Sequence, residues 1–236
     1  MTNDPFKDYI RHIEPSKKQK GYAWQTAIGL QDVDGLQPPR YLREMAIKHI
    51  DGKISIETAE QWISQYYAAQ PTLDESRTEE ADKVSVQIAK LLSEPAFSFN
   101  VSQYLAIHKQ LFTGIYPHAG KIRHYNISKK EWILDGETVV YGAAAELQAM
   151  LEYDLAQEKI FSYKGLSIDT VIEHLAIFIA RLWQIHPFEE GNTRIGAVFL
   201  LKYLKTLGFD ASNDIFAENA CIQLQNIWCV FCVIYC

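Results

Sequence analysis

The stretch HPFEEGNTR, residues 186–194, separates two segments in which apolar residues recur at helical spacing. Residues 170–183 before it predict one amphipathic helix, and the segment from residue 192 to the stop signal Gly208 predicts another. Pro187 disfavours helical geometry at the residue before it, so we expect the first helix to end near Ile185. The sequence therefore predicts a tight corner between two helices.

The second helix is expected to begin among groups that suit an anion. Its first turn offers unpaired backbone N–H groups at Gly191, Asn192 and Thr193, and Arg194 adds a forked donor. Phosphate is the ligand that this arrangement predicts. A helix corner also uses Gly, Asn and Pro for structural reasons, and a single His-Pro pair would indicate no more than that.

Two further side chains complete the predicted phosphate chemistry. The Glu190 carboxylate suits a divalent cation such as magnesium, which usually sits beside substrate phosphates. The His186 imidazole, with an ordinary pKa near ~6.5, suits a base that accepts a proton from a hydroxyl group.

The ordered set of these residues resembles the signature of the Fic family, HPFx(D/E)GN(G/K)RxxR. Seven positions agree with it: His186, Pro187, Phe188, Glu190, Gly191, Asn192 and Arg194. The resemblance implies a protein adenylyltransferase (AMPylase), a nucleotidyltransferase that uses Mg2+ and moves AMP from ATP to a Ser, Thr or Tyr hydroxyl of a target protein. It also implies a mainly α fold, the Fic-fold helical bundle with a β-hairpin flap.

The resemblance implies a role for each matching residue. His186 would deprotonate the target hydroxyl, and Glu190 would bind the magnesium that bridges the α- and β-phosphates. The region of Gly191 and Asn192 would form the anion hole, and Arg194 would hold the β-phosphate.

Three other positions bear on how closely the site follows the family. Phe188 is expected to anchor the loop in the core. Ala197 stands where the family has a second arginine that usually holds the γ-phosphate. The absence of this arginine removes a charge-assisted contact of roughly 1.5–3 kcal/mol. Thr193 replaces Gly or Lys and either supplies a hydroxyl or crowds the phosphates. The nucleotide donor is therefore left open.

Residues 121–141 predict a β-hairpin, because β-prone residues flank the turn signal Asp135-Gly136. In Fic enzymes such a hairpin, the flap, lies over the signature and clamps the target segment by strand addition. A surface hairpin without a role is the alternative.

Residues 1–70 predict a separate unit of three helices, joined by a linker at 71–78 to a Fic domain at 79–220. The helices are expected over residues 22–30, after Pro39 over residues 41–50, and from the cap Ser55 to near Tyr67, packed through Trp62 and Ile63. The unit resembles the small antitoxin partners of Fic toxins. Their (S/T)xxxE(G/N) motif sends a glutamate to the second signature arginine and blocks the γ-phosphate site.

Two stretches match that inhibitory motif in part. Residues 30–35 place Asp34 at the glutamate position, which is a degraded match, although a carboxylate there could still reach Arg194. Residues 76–81 have Ser76 and Glu80 at the right spacing but end in Ala81, and they also suit a simple helix cap. The unit is expected to act first as a packing domain and second as an inhibitor.

The rest of the chain predicts helices over residues 79–92, within 99–116 and over 143–156. His108 and His118 lack metal-ligand spacing and are expected to be structural or exposed. A net charge of −6 and the lack of an apolar run of ~18 residues predict a cytoplasmic protein without a membrane span or direct nucleic-acid binding.

The end of the chain differs in composition from the rest. All four cysteines lie in an apolar run at residues 221–236, namely Cys221, Cys229, Cys232 and Cys236. No second pair or nearby histidine completes a zinc site, and a reducing cytosol disfavours disulfides. The change after Ala220 predicts an atypical Cys-rich tail, truncated or frameshifted.

Three functional classes remain. The first is a Fic-type nucleotidyltransferase. The second is a phosphodiesterase or a transferase that uses a different phosphate donor, which Ala197 permits. The third is a non-catalytic or inactivated nucleotide-binding protein derived from a toxin–antitoxin pair, and the presence of His186 argues against it, because binding alone needs no base.

Overall fold

The computed structural model describes residues 16–33, 35–36, 38–69, 77–130 and 138–209. In these ranges the chain is mainly α-helical with one two-stranded antiparallel sheet, as predicted. The helices are α1 Lys17–Val33, α2 Arg40–Ile50, α3 Ile56–Ala68, α4 Thr78–Ser93, α5 Val101–Phe112, α6 Leu147–Ile160, α7 Ile168–Ile185 and α8 Asn192–Thr206. The strands are β1 Ser128–Lys130 and β2 Thr138–Val140, with Lys129 opposite Val139.

Side-chain caps explain where several helices begin. The Ser55 hydroxyl accepts a hydrogen bond from the Thr58 N–H at 3.2 Å and starts α3, as predicted. Ser167 caps α7 in the same way through the Thr170 N–H at 3.2 Å. Asn100 starts α5, because its side-chain oxygen accepts from the first turn.

Two helices depart from their predicted ranges. Helix α1 starts about five residues earlier than expected, because Ser16 and Gln19 exchange reciprocal backbone and side-chain hydrogen bonds of 2.8 and 3.2 Å. Helix α6 starts four residues later than expected. There the Asn126 side chain accepts from the Ala144 N–H at 2.8 Å and holds the preceding residues in a turn.

The described elements share one hydrophobic core. Helix α1 packs along α4, and α4 in turn packs on α3, α5 and α8. Buried Trp24 of α1 and buried Phe199 of α8 belong to the same cluster, so the N-terminal helices continue the core of the body. Trp62 was predicted in the packed stripe of α3, but it is 38% exposed, and the Lys48 ammonium lies 5.5 Å from its ring centroid.

Helix α8 also binds the carboxyl end of α4. The Lys202 ammonium donates to the carbonyl oxygens of Leu91 at 2.6 Å and Glu94 at 2.8 Å, and Lys205 donates to that of Leu92 at 3.0 Å. Cations suit the negative end of a helix dipole. Burial lowers the pKa of Lys202 to about 8.

Several predictions lie outside the described residues: the Asp135-Gly136 turn, Asp34, Ser76 and the Cys-rich tail. None of the described helices has the length and hydropathy needed to cross a membrane.

Candidate active site

The predicted corner is formed by the signature loop, residues 186–191. Helix α7 ends at Ile185, as predicted, and His186 takes a left-handed conformation with φ +50° and ψ +60°. Gly191 also has positive φ, +80°, and precedes α8. A Cβ at Gly191 would lie 2.3 Å from the Phe112 ring, so only glycine fits.

Phe188 fixes the middle of the loop. Its side chain is fully buried and stacks on the His108 ring with a centroid distance of 3.7 Å. Its N–H donates to the Asn192 side-chain oxygen at 3.0 Å, and its carbonyl accepts from the Asn192 side-chain nitrogen at 2.8 Å. The Asn192 side chain is therefore used inside the loop, which leaves backbone N–H groups as the donors of the predicted anion cradle.

His108 supports the loop from α5. Its Nδ1 accepts from the Gly120 N–H at 2.8 Å, so the other ring nitrogen carries the proton and donates to the Glu190 carbonyl at 3.1 Å. Burial lowers the pKa of His108 to about 4, with further lowering by His118 and Arg194. His108 is structural, as predicted, but the sequence did not reveal that it holds the loop.

A cavity of about 300 Å³ lies against the loop. Its lining residues are Arg77, Lys129, His186, Glu190, Gly191, Asn192 and Thr193. Five residues predicted for the site therefore meet at one cavity. Arg194, the sixth, is absent from the lining and lies behind it.

His186 is neutral in this environment. It is 5% exposed, and the Tyr141 ring at the end of the hairpin stacks on it at 3.9 Å. Burial lowers its pKa to about 3, helped by the charges of Lys129 and Arg123, while the Trp183 carbonyl opposes the shift. The ordinary pKa expected from the sequence is wrong, because that expectation ignores burial.

Arg194 is fully buried and bound by side chains from two other helices. One terminal nitrogen donates to the Glu80 carboxylate at 2.8 Å, and the other donates to the Gln31 side-chain oxygen at 3.3 Å. Its guanidinium lies 4.8 Å from the Phe112 ring centroid. The cation predicted to hold a phosphate is thus paired with a carboxylate.

Glu80 is the centre of this cluster, in the first turn of α4. Besides Arg194 it binds Arg77 through both carboxylate oxygens, at 2.7 and 2.8 Å, and accepts from the Tyr116 hydroxyl at 2.6 Å. Burial favours a raised pKa for Glu80, but these donors together hold it below its ordinary value. The spacing of residues 76–81 pointed to Glu80, whereas nothing in the sequence pointed to Gln31.

Arg123 is a second buried arginine beside the loop, and no sequence pattern predicted it. Only 2% of its surface is exposed. Its guanidinium donates to four carbonyl oxygens, those of His186 at 2.9 Å, Tyr125 at 2.6 Å, Gly142 at 2.6 Å and Ile185 at 3.4 Å. Its backbone N–H also donates to the Pro187 carbonyl at 2.9 Å. Arg123 therefore joins the base of the hairpin to the signature loop.

Glu190 and Ala197 are the remaining positions that the sequence singled out. The exposed Glu190 side chain borders the cavity, which fits a magnesium ion held by one carboxylate and by substrate phosphates. Among the described residues, no group of three or more His, Cys, Asp or Glu could hold a metal without such help. Ala197 packs partly buried against the core.

The chain is similar to a family model and to named proteins. The Fic/DOC family model matches residues 98–204. The chain is 27% identical over 141 residues to the probable protein adenylyltransferase y4lH of Sinorhizobium fredii, a match covering 58% of this chain and 69% of that protein. It is 26% identical over 116 residues to the protein adenylyltransferase VbhT of Bartonella schoenbuchensis, covering 49% of this chain and 23% of that one.

Two solved structures are also similar. The N-terminal Fic domain of a Bartonella effector protein is 19% identical with a TM-score of 0.37, and the match covers 65% of this chain and 62% of that one. A Fic family protein from Desulfovibrio desulfuricans is 18% identical with a TM-score of 0.45, covering 83% of this chain and 59% of that one.

Proposed function

Because the Fic/DOC family model matches residues 98–204, we propose that this protein transfers AMP from a nucleoside triphosphate to a hydroxyl side chain of a target protein. The observation that carries the proposal is the shared cavity. A histidine, a carboxylate and a helix start line it together, at His186, Glu190 and residues 191–193. These are the groups that phosphoryl transfer requires.

In the proposed reaction the target hydroxyl oxygen forms a bond to the α-phosphorus of the nucleotide. The bond from that phosphorus to the bridging oxygen breaks, and pyrophosphate leaves. The hydroxyl proton passes to a ring nitrogen of His186. The backbone donors at residues 191–193 and the positive end of α8 stabilise the phosphate charge. Glu190 would hold magnesium, which supplies further neutralisation of that charge.

The low pKa of His186 is consistent with this role once a nucleotide is bound. In the nucleotide-free protein two positive charges and burial disfavour the imidazolium. Phosphates in the adjoining cavity would reverse the sign of the nearby charge and raise the pKa of His186. The base would then gain strength only when the substrate is present.

The cluster at Glu80 supports an inhibited resting state. Arg194 cannot hold a phosphate while both of its terminal nitrogens bind Glu80 and Gln31. We propose that Glu80 restrains the enzyme through this arginine, rather than through position 197. Replacement of Glu80 is expected to raise transfer.

The burial of Arg194 also favours a second candidate function, a nucleotide-binding protein without transferase activity. Ala197 offers no charge, and the remaining signature arginine is already paired. The two candidates differ in one respect, because only the transferase needs His186.

The test is incubation of the protein with magnesium and each α-labelled nucleoside triphosphate, followed by intact mass. The variants are wild type, Glu80→Ala, Glu80→Ala/His186→Ala, and Glu80→Ala/His124→Ala, in which the exposed His124 serves as the matched control. A nucleotide monophosphate on Glu80→Ala that disappears only with His186 supports the transferase and names the donor. Nucleotide binding by every variant without transfer to the protein or to added cell lysate supports the second candidate.

A further inference from the structure

The cavity has a cation that the family signature does not account for. Position 197 supplies no charge, and Arg194 is fully buried and paired with Glu80. Arg77 lines the cavity together with the start of α8. We propose that Arg77 is the residue that binds the outer phosphates of the nucleotide, in place of the arginine missing at 197. This inference rests on the proposed function.

The placement of Arg77 suits this role. It precedes α4 in a left-handed conformation with φ +54°, a strained conformation for a side chain of this size. Its side chain is 45% exposed, so a ligand can reach it without opening the core. The strained backbone at residue 77 brings an arginine from a different part of the chain to the edge of the signature loop.

The guanidinium of Arg77 is only partly used by the protein. Its Nε and one terminal nitrogen bind the Glu80 carboxylate, and the same terminal nitrogen donates to the Tyr116 hydroxyl at 2.9 Å. The other terminal nitrogen has no hydrogen-bond partner in the part of the chain that the structure describes. Arginine binds a phosphate through paired donors, so Arg77 can bind a phosphate with this nitrogen and gain a second contact when Glu80 moves.

Glu80 marks the position that a phosphate would take. Its carboxylate lies between Arg77 and Arg194 and in the first turn of α4, where the helix dipole favours an anion. A phosphate offers the same charge and acceptors. Both arginines would therefore hold the outer phosphates together once Glu80 has left.

Lys129 is the other cation of the cavity lining, and its position is different. It lies on β1, and its charge lowers the pKa of His186. The α-phosphate and the target hydroxyl are expected beside His186. Arg77 lies at the Glu80 side, where the outer phosphates are expected. The two cations therefore serve different parts of the nucleotide.

The test is a set of binding constants for Mg-ATP, Mg-ADP and AMP, measured by titration calorimetry. Each is measured for Glu80→Ala alone and for Glu80→Ala combined with Arg77→Ala, Arg77→Lys or Arg40→Ala. The Glu80→Ala background removes the carboxylate that would compete with the phosphates for Arg77. A change in affinity on loss of Arg77 then reports only the contact between Arg77 and the nucleotide. Arg40 is the matched control because it is an exposed arginine far along the chain, with 93% of its side chain accessible.

We expect Arg77→Ala to weaken ATP and ADP binding roughly 10- to 100-fold, because a charge-assisted contact to phosphate is lost. AMP binding should change less than about twofold, which also shows that the variant is folded. Arg77→Lys should recover part of the affinity, and Arg40→Ala should change nothing. ATP binding unaltered by Arg77→Ala, or equal losses for AMP and ATP, would overturn the role of Arg77 and leave the proposed function standing. No nucleotide binding by any variant, Glu80→Ala included, would overturn both.

Discussion

Arg123 and Arg194 are both buried beside the signature loop, but their charges are balanced in different ways. Arg123 donates to main-chain carbonyls, whose positions are set by the fold. Arg194 is bound by side chains, chiefly the Glu80 carboxylate, which can rotate away. Burial lowers the pKa of Arg123, because no carboxylate offsets the cost of burying its charge. The main-chain carbonyls therefore hold Arg123 in one fixed set of contacts, whereas a phosphate can replace the Glu80 carboxylate at Arg194.

The largest effect is expected from Arg123→Ala. Removal of the guanidinium leaves several carbonyl oxygens buried without donors, which costs about 4 kcal/mol in the free energy of unfolding. Urea denaturation measures this loss, and Arg40→Ala is the control, expected to change stability by less than about 0.5 kcal/mol. A loss below about 1 kcal/mol for Arg123→Ala would mean that the contacts of Arg123 with these carbonyls do not stabilise the fold.

The next largest effect is expected from Glu80→Ala. Arg194 then stays buried without its carboxylate, and the free energy of unfolding falls by about 3 kcal/mol. Saturating Mg-ATP should recover part of this loss, because phosphates replace the missing charge. Thermal unfolding with and without Mg-ATP tests the idea. An equal gain from ATP in wild type and variant would show that Glu80 and the phosphates do not compete.

A smaller effect is expected from pH. Because the donors around Glu80 lower its pKa in the folded protein, the unfolded chain binds the proton first as the pH falls below about 4.5. The stability that ionised Glu80 contributes is complete above that pH and is lost as the pH falls through the lower folded pKa. At pH 6 the free energy of unfolding of wild type should be about 1–2 kcal/mol above that of Glu80→Gln, because hydrogen bonds to an ionised carboxylate are stronger than those to a neutral amide.

The measurement is urea denaturation of both proteins from pH 6 to pH 3. The gap should close toward the acid end, because Glu80 then becomes neutral like glutamine. The carbonyls that hold Arg123 do not titrate in this range. A gap that stays constant would show that folding does not lower the pKa of Glu80.

The smallest effect is expected from Gln31→Leu. Its hydrogen bond to Arg194 is 3.3 Å long and shares the guanidinium with Glu80, so its loss should cost about 1 kcal/mol. Chemical denaturation measures this change in the free energy of unfolding. Gln31→Glu is the complementary variant, since a second carboxylate should hold Arg194 more tightly and reduce AMP transfer. Higher transfer by Gln31→Glu would contradict an exchangeable contact at Arg194.

The local features of this fold were readable from the sequence. The end of α7 at Ile185, the start of α8 and the Ser55 cap all follow from residues within a few positions of each other. Start points that depend on distant partners were not readable. Helix α6 begins late because Asn126 captures the preceding turn.

The same division holds for the site. The signature motif predicted the site residues in and next to its loop, and the structure brings five of them to one cavity. Arg123 and Gln31 could not be found, because their contacts join residues 63 and 163 positions apart and leave no periodic trace. Glu80 stands between these cases, since a spacing pointed to it but only the fold shows which arginine it binds.

The lysines of α8 that bind the carboxyl end of α4 determine which part of α4 can move when a phosphate replaces Glu80 at Arg194. Because Lys202 and Arg194 bind opposite ends of α4, the two helices run in the same direction and are joined at two points. Only the Glu80 joint can be displaced by an anion. Loss of the Glu80 contact would therefore free only the first turn of α4, while the lysines hold its last turn. Amide hydrogen exchange in its first turn should respond to nucleotide, while the last turn stays protected.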